Sequence, residues 1–149
     1  MRRVAGFLGK FPVKLDEKNR IILPAKIRAG LAEGAYLTTG QDQCLFLFSE
    51  DQLENHLALL RGRRPGAMQS VAFMRMFNSS VTPQTPDKQG RIRIASDLRA
   101  HAGLERELMI VGMGQRLEIW DVATWQAYVD AHQEAYNQGA DMLEDPPAP

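Results

Sequence analysis

The chain has 149 residues, of which 44% are hydrophobic and 24% charged, a mixture typical of a globular protein with one compact domain or two small ones sharing a core. No stretch suits a membrane-spanning helix or a signal peptide, and the single cysteine, Cys44, cannot form an internal disulfide, so we expect a cytoplasmic protein without a membrane partner. The formal net charge of zero, taken alone, argues against a nucleic-acid partner.

The chain contains a duplication. The segment Asp16–Ala29 recurs as Asp87–Ala100 with identical Asp, Arg, Ile, Arg and Ala at corresponding positions, and the segment from Gly40 to Phe48 resembles that from Gly112 to Trp120. Because these matches keep one order over about half of each copy, the sequence predicts two copies of one small β-rich unit in a pseudo-two-fold arrangement.

The elements of each copy follow in the same order. A strand leads into a turn, Asp16 to Asn19 or Asp87 to Gly90, where Asn19 and Gly90 tolerate a positive φ. A second strand follows, and in the first copy Pro24 begins a short helix that ends near Gly30. Two further strands are predicted in each copy, at about 35–39 and 44–48 and at about 108–111 and 117–120, with turns at Gly40 and at Gly112-Met-Gly114.

Each copy closes with a helix. A capping box at Ser49–Gln52 begins the first, with Phe48 and Leu53 placed as a hydrophobic staple. Asp121 caps the second, where Trp120 and Trp125 take the staple positions. The apolar stripe of this second helix contains Trp125, Tyr128, Val129, His132 and Tyr136. A middle helix at about 67–77 joins the copies, and a loop containing Arg61, Arg63 and Arg64 precedes it.

The sequence offers little support for an enzyme. The three histidines, His56, His101 and His132, have no partners at metal-ligand spacing, and we expect His56 and His132 to be structural residues with satisfied hydrogen bonds. Cys44 begins an apolar strand and is expected in the core. We therefore predict no catalytic residues, no metal, no cofactor and no small-molecule substrate.

The repeated Asp-x-x-x-Arg motif permits two interpretations. In the structural one, the aspartate caps the turn and the arginine pairs with it across a hairpin. In the functional one, the motif reads DNA, because each copy falls in a basic block: residues 1–30 and 61–99 each have a net charge of +6, whereas residues 31–60 and 100–149 have −5 and −7.

A DNA site of this kind has a definite chemistry. A two-stranded β-ribbon fits the major groove, where Arg20 and Arg91 could each make a bidentate contact to guanine. The cations alongside would hold phosphates and set the register on the duplex: Lys14, Lys18, Lys88 and Arg93. The turn residues Asp16, Asn19, Asp87 and Gly90 would fix the geometry of both arginines.

These motifs resemble the MraZ family of bacterial regulators, which have two SpoVT/AbrB-like domains. The resemblance covers about residues 7 to 137 and is most specific in Leu15–Arg28, Cys44–Phe48, Asp87–Arg91 and His101–Leu104. Asn19 departs from the usual glycine of the motif, Ala95 stands where the first copy has Pro24, and Pro83 and Pro86 flank the strand before Asp87, where they would shorten or bend it.

The resemblance implies an α+β fold of duplicated SpoVT/AbrB-like swapped-hairpin β-barrel units, forming an intramolecular pseudo-dimer with flanking helices. It divides the chain into a first domain at 7–52, linking helices at 53–77, a second domain at 78–123, a C-terminal helix at 124–138 and a disordered tail at 139–149.

The resemblance also implies DNA contacts through Arg20 and Arg91, a homo-oligomeric ring, and binding of double-stranded DNA at short direct repeats in the promoter of a division and cell-wall gene cluster. The expected location is the nucleoid. Two alternatives stay open: an AbrB-like antitoxin or transition-state regulator, and a structural oligomer in which acidic blocks meet basic ones.

Overall fold

A computed structural model describes residues 7–62 and 68–139 and shows an α+β protein. The strands are β1 (Phe7–Lys14), β2 (Arg20–Ile22), β3 (Ala35–Thr39), β4 (Leu45–Phe48), β5 (Thr82–Gln84), β6 (Arg91–Arg93), β7 (Glu107–Gly114) and β8 (Leu117–Asp121). The helices are α1 (Ala25–Arg28), which continues into a 3-10 turn at Ala29–Leu31, α2 (Glu50–Arg61), α3 (Met68–Ser80), α4 (Ser96–Ala102) and α5 (Val122–Gln138). The order of two strands, a short helix, two strands and a longer helix occurs twice, which confirms the predicted fold class and duplication.

The two copies exchange their first strands. Six strands form one sheet in the order β1-β7-β8-β4-β3-β5, with antiparallel neighbours throughout. Strand β1 of the first copy therefore pairs with β7 of the second, and β5 of the second copy pairs with β3 of the first. Because β1 corresponds to β5, β3 to β7 and β4 to β8, the order is unchanged when the copies are interchanged.

The second strands of the two copies form a separate two-stranded sheet. Strands β2 and β6 pair antiparallel, with Ile21 opposite Ile92 at the centre. The ribbon that we predicted within each copy is therefore wrong in its pairing: β1 and β2 flank a turn, but each pairs with a strand of the other copy. Exchange gives each strand hydrogen-bonding partners along one edge while it joins the copies.

The alternating pattern of the strands creates two cores on opposite faces of the six-stranded sheet. Leu37, Leu45, Leu47 and their counterparts pack beneath the two-stranded sheet, where Ile21 and Ile92 are almost fully buried. On the other face, strand residues of the opposite parity, Phe46, Phe48 and Trp120, pack with helix residues such as Phe77 of α3 and Trp125 of α5. The two-stranded sheet and α3 therefore lie on opposite sides of the molecule.

Several local signals are confirmed. Ser49 and Gln52 form both hydrogen bonds of the capping box, and Asp121 accepts a hydrogen bond from the Ala123 amide at the start of α5. Pro24 immediately precedes α1. The rings of Trp120 and Trp125 meet edge to face with 5.5 Å between their centroids.

Other local predictions need correction. Gly112 lies within β7 rather than in a turn, and it pairs with Gly9 of β1. The hairpin turn begins at Gly114, the last residue of β7. Arg61 belongs to α2 and donates to the Leu57 carbonyl instead of lying in a loop. Arg63, Arg64 and the predicted tail beyond Gly139 lie outside the described residues.

The element bounds also bear on two further expectations. Strand β5 has three residues against eight in β1, and Pro83 lies inside it, in agreement with the expected effect of the prolines. The described residues include no helix of the length and apolarity needed to cross a membrane. The linear domain boundaries given above remain predictions.

Candidate nucleic-acid interface

The outward face of the two-stranded sheet carries three arginines around one exposed isoleucine. Arg20 lies opposite Arg93, and Ile22 lies opposite Arg91. Because Ile21 and Ile92 point inward, the residues on either side of them share the outer face. Arg93 is exposed, and the side chains of Arg20 and Arg91 are 27% and 29% exposed. The arrangement is a small basic ribbon, here defined as the outer face of β2 and β6.

The Asp-x-x-x-Arg turns at the two ends of the basic ribbon have one geometry. Asp16 accepts backbone hydrogen bonds from Lys18 and Arg20 through Oδ1, at 2.8 and 2.9 Å, and its Oδ2 lies 2.8 Å from the Arg20 Nε. Asp87 repeats this pattern with Gln89 and Arg91, and its Oδ2 lies 2.7 Å from the Arg91 Nε. The structural role that we predicted for both aspartates is thus present.

These hydrogen bonds favour the ionised carboxylates. The Arg20 amide, together with the Lys18 amide and the Arg20 guanidinium, lowers the pKa of Asp16 below its ordinary value. The pKa of Asp87 is lowered chiefly by the Arg91 amide and then by the guanidinium of Arg91. Each arginine is consequently held through its Nε by a charged partner.

Backbone conformation at the ends of the turns agrees with the sequence. Asn19 has a φ of 60° and Gly90 a φ of 78°. Asparagine reaches this left-handed region at low cost, so the departure from glycine at Asn19 leaves the first turn intact.

The second copy carries extra hydrogen bonds to its arginines. Gln89 accepts a hydrogen bond of 3.1 Å from the Arg91 Nη2, whereas Lys18 takes the corresponding place in the first copy. The Gln84 amide donates to the carbonyl of Arg93 and accepts from its backbone amide. Arg91 therefore has one more side-chain hydrogen bond than Arg20, and the two halves of the ribbon are chemically unequal.

The predicted lysines take different positions around the ribbon. Lys18 and Lys88 are exposed within the two turns, beside the arginines that they accompany in sequence. Lys14 ends β1, and its Nζ lies 3.9 Å from Glu107. A nearby carboxylate reduces the positive field that Lys14 can contribute, although both groups are well exposed and the pair is weak.

Cys44 and His56 lie among apolar and aromatic side chains. Burial raises the pKa of the Cys44 thiol to about 12, which makes it inert at neutral pH. His56 stacks between Phe48 and Phe77, at centroid distances of 5.1 and 5.3 Å. Burial and then Arg116 lower its pKa, and its buried Nε2 lacks a hydrogen-bond partner in the described part of the chain. The expectation that His56 is fully satisfied is therefore wrong.

The other two histidines have partners. The His132 Nδ1 lies 2.8 Å from the Tyr128 carbonyl oxygen, and the His101 Nε2 lies 2.9 Å from that of Gly40. In the ranges 7–62 and 68–139, no group of three or more His, Cys, Asp or Glu side chains is arranged to hold a metal ion.

Comparison with known proteins connects this geometry to a family. The family model described as "MraZ protein, putative antitoxin-like" matches residues 7–61 and 76–145, so each matched segment contains one turn and one strand of the basic ribbon. The chain belongs to the MraZ family.

Individual MraZ relatives are similar in sequence to this chain along most of their length. A protein of Kocuria rhizophila is 45% identical over 132 residues, which cover 89% of this chain and 92% of that protein. Proteins of Paenarthrobacter aurescens and Tropheryma whipplei are 43% and 39% identical, over 91% and 92% of this chain and 94% and 96% of their own lengths. All three are named transcriptional regulator MraZ.

Sequence reasoning missed how the ribbon residues oppose one another. The repeated motif and the basic blocks singled out Arg20 and Arg91, but the direct opposition of Arg20 and Arg93 depends on pairing between copies. The contacts of Gln84 and Gln89 were also missed, since nothing in the local pattern distinguishes either glutamine from an ordinary surface residue.

Proposed function

We propose that this chain is a transcriptional regulator that binds specific DNA sequences through the basic ribbon. The observation that carries the proposal is the placement of Arg20, Arg91 and Arg93 on one outward face of a two-stranded sheet. A ribbon of this width enters the major groove, and arginine matches the two acceptors of guanine. The name shared by the relatives supports the same function.

The arrangement of charges on this face destabilises the free protein. Arg20 and Arg93 lie directly opposite each other, and like charges in such cross-strand positions destabilise a sheet. Asp16 offsets the charge of Arg20, whereas Gln84 is neutral and binds the backbone of Arg93 and not its guanidinium. A polyanion in the groove-facing position would compensate the remaining repulsion, whereas a purely structural ribbon gains nothing from it.

The roles within the interface follow from the geometry. Arg20 and Arg91, which are fixed through Nε by their aspartates, would read base edges, while Arg93, Lys18 and Lys88 would contact phosphates. Lys14 would add a weaker phosphate contact because Glu107 competes for it. Binding of this kind needs no cofactor and no catalysis.

One chain presents few base-reading residues, so we further propose that several chains act together. A homo-oligomeric ring would bind short direct repeats in the promoter of a division and cell-wall gene cluster, as the family resemblance implies, with its DNA on the nucleoid. Linked contacts can raise avidity by about 10²–10⁴, and neighbouring sites would recur at about one helical turn, roughly 10–10.5 base pairs.

The proposal is tested by footprinting the full chain on the DNA upstream of its own gene, with an equally long fragment of shuffled sequence as control. We expect regularly spaced protection on the first fragment alone. The affinity should fall with rising salt, at a slope near −0.9 per phosphate neutralised. Equal binding to both fragments, or affinity that salt leaves unchanged, would contradict sequence-specific DNA binding and would favour the structural-oligomer interpretation.

A further inference from the structure

A second pair of arginines, Arg28 and Arg99, lies behind the basic ribbon. Arg28 ends α1, and its Nε and Nη2 donate hydrogen bonds of 3.2 and 2.8 Å to the carbonyl of Leu23. The Leu23 amide in turn donates a hydrogen bond of 2.8 Å to the carbonyl of Gly90, in the turn of the other copy. This series of hydrogen bonds therefore connects Arg28 of the first copy, through Leu23, to Gly90 of the second copy.

The contact between Arg28 and Gly90 is close. A Cβ atom on Gly90 would lie 2.6 Å from the Arg28 Cζ and would also overlap Nε. Gly90 is buried and directly precedes Arg91, whose amide is bound by Asp87. The guanidinium of Arg28 thus covers the residue whose positive φ directs the chain into Arg91.

The other copy repeats the arrangement. The Nη1 of Arg99 donates a hydrogen bond of 2.5 Å to the Ile94 carbonyl, and the Ile94 amide donates one of 2.9 Å to the carbonyl of Asn19. Asn19 directly precedes Arg20. Both sets of bonds are partly buried, which excludes competing water and strengthens a charged hydrogen bond.

We propose that Arg28 and Arg99 are crossed positioning residues, each of which fixes the reading arginine of the opposite copy. Arg28 holds the turn that places Arg91, and Arg99 holds the turn that places Arg20. The two halves of the ribbon are then set by each other's helices, so that neither reading arginine adopts its position unless the copies are joined. The assignment of Arg20 and Arg91 to base reading rests on the proposed function, but the crossed dependence itself does not.

The crossed dependence is tested first without DNA, by hydrogen–deuterium exchange resolved to the Leu23 and Ile94 amides in the full chain. In Arg28→Met we expect Leu23 to exchange about tenfold faster and Ile94 to change less than about twofold, because one charged hydrogen-bonding group is lost from only one path. Arg99→Met should give the reverse. Lys26→Met removes a charge from the same short helix as Arg28 and should change neither amide.

Equal acceleration of both amides, or of neither, would overturn the inference. If Arg28→Met unfolds the whole chain, Arg28→Lys retains the charge but has a single donor nitrogen, and it should still accelerate Leu23 more than Ile94. A uniform response in that variant contradicts crossed positioning as well.

The same variants are then compared on the DNA fragment upstream of the gene. Added to Arg91→Ala, Arg28→Met should lower the affinity for DNA by less than about a further twofold, since coupled residues are non-additive. Added to Arg20→Ala, it should lower the affinity by more than that. An additive loss with Arg91→Ala would mean that Arg28 contacts DNA directly, and would overturn the inference. Absence of any DNA binding, together with the crossed exchange pattern, would reject the proposed function and leave the crossed dependence standing.

Discussion

Asp16 and Asp87 determine the local conformation of the two turns through the same three acceptor contacts. Each carboxylate receives two backbone amides and one guanidinium, so removal of its charge weakens the turn and releases the arginine at once. Under the proposed function, this double role would let one motif serve both the turn and the binding of DNA. The aspartate makes the turn, and the turn directs the arginine.

At acidic pH, the free energy of unfolding should depend on the ionisation of Asp16 and Asp87. Their pKa values are lowered below the ordinary 3.8 of an aspartate, so their contribution is complete at neutral pH and is lost as the pH falls below about 4. In urea unfolding between about pH 5 and about pH 2, the free energy of unfolding should fall less steeply for the Asp16→Asn, Asp87→Asn double variant than for the wild type. Glu17→Gln, an exposed neighbour in the first turn, is the control, and identical slopes for the wild type and the double variant would contradict the assignment.

Gly90 and Gly103 separate backbone strain from contact with Arg28. Both have a positive φ, of 78° and 60°, but a Cβ atom at Gly103 would meet nothing within 4 Å. Gly103→Ala should therefore lose only the strain energy, about 1 kcal/mol, whereas Gly90→Ala should lose about 1–3 kcal/mol because Arg28 must also move. Thermal unfolding measures the loss of stability in both variants. Equal losses would show that the Arg28 side chain moves aside without cost.

At the scale of elements, the exchanged strand β1 is the longest link between the copies. All eight of its residues pair with β7, and Gly112 accepts close approach from the backbone at Gly9 and its neighbours. A Cβ atom on Gly112 would lie 2.7 Å from the Leu8 Cα and from the Phe7 carbonyl oxygen. Since these are backbone atoms, no side-chain rotation can relieve the overlap.

Gly112→Ala should therefore disturb the β1–β7 pairing. We expect a loss of about 1–3 kcal/mol in the free energy of unfolding, and faster amide exchange in β1 than in β3. The matched control is Gly114→Ala at the end of β7, where an added Cβ has no neighbour within 4 Å and only the φ of 81° is strained. If exchange in β1 is unchanged in Gly112→Ala, the strand tolerates displacement and the link is weaker than the geometry indicates.

Elements were predictable from sequence, but their partners were not. Alternation, the capping box at Ser49 and the turn residues at Asn19 and Gly90 act over a few positions, and these predictions were confirmed. The pairing of β2 with β6 joins residues about 70 positions apart and leaves no periodic trace within either strand. Gly112 was misassigned for the same reason, because its requirement comes from the backbone of β1 and not from a turn.

In the candidate site, too, the residue types were predictable from sequence, but the contacts between the copies were not. Arg20, Arg91 and Arg93 were recognisable as exposed cations in basic blocks, and the structure brings all three onto one face. The bonds from Arg28 and Arg99 toward the opposite turns depend on the exchange, so the positions of Arg20 and Arg91 follow from tertiary structure.

At the scale of the whole molecule, exchange makes the chain one cooperative unit. A half of about 70 residues is small for an independent core, and each half lacks the strand that completes its own part of the sheet. The copies are also unequal at the centre, where Glu118 of β8 lies opposite Phe46 of β4 and is buried with Arg116 above the Phe46 ring.

Separate halves, 1–66 and 67–149, should not fold as monomers, whereas an equimolar mixture should recover a cooperative thermal transition and form a one-to-one complex. By the pseudo-two-fold symmetry, a homodimer of the second half would place one Glu118 opposite another in a buried position, which like-charge repulsion disfavours. Circular dichroism and light scattering test this. A second half that unfolds cooperatively as a monomer would contradict the shared core.

The central claim is that the basic ribbon reads DNA, and the most direct test is the affinity of the full chain for the footprinted fragment with Arg20→Ala and Arg75→Ala. Both variants remove one exposed or partly exposed arginine, but Arg75 lies on α3, on the opposite side of the molecule. Loss of one base contact should weaken binding by about 1–3 kcal/mol for each chain engaged, with the cooperative unfolding of the protein intact. Arg75→Ala should bind like the wild type. An Arg20→Ala variant that binds the fragment as tightly as the wild type would contradict the account.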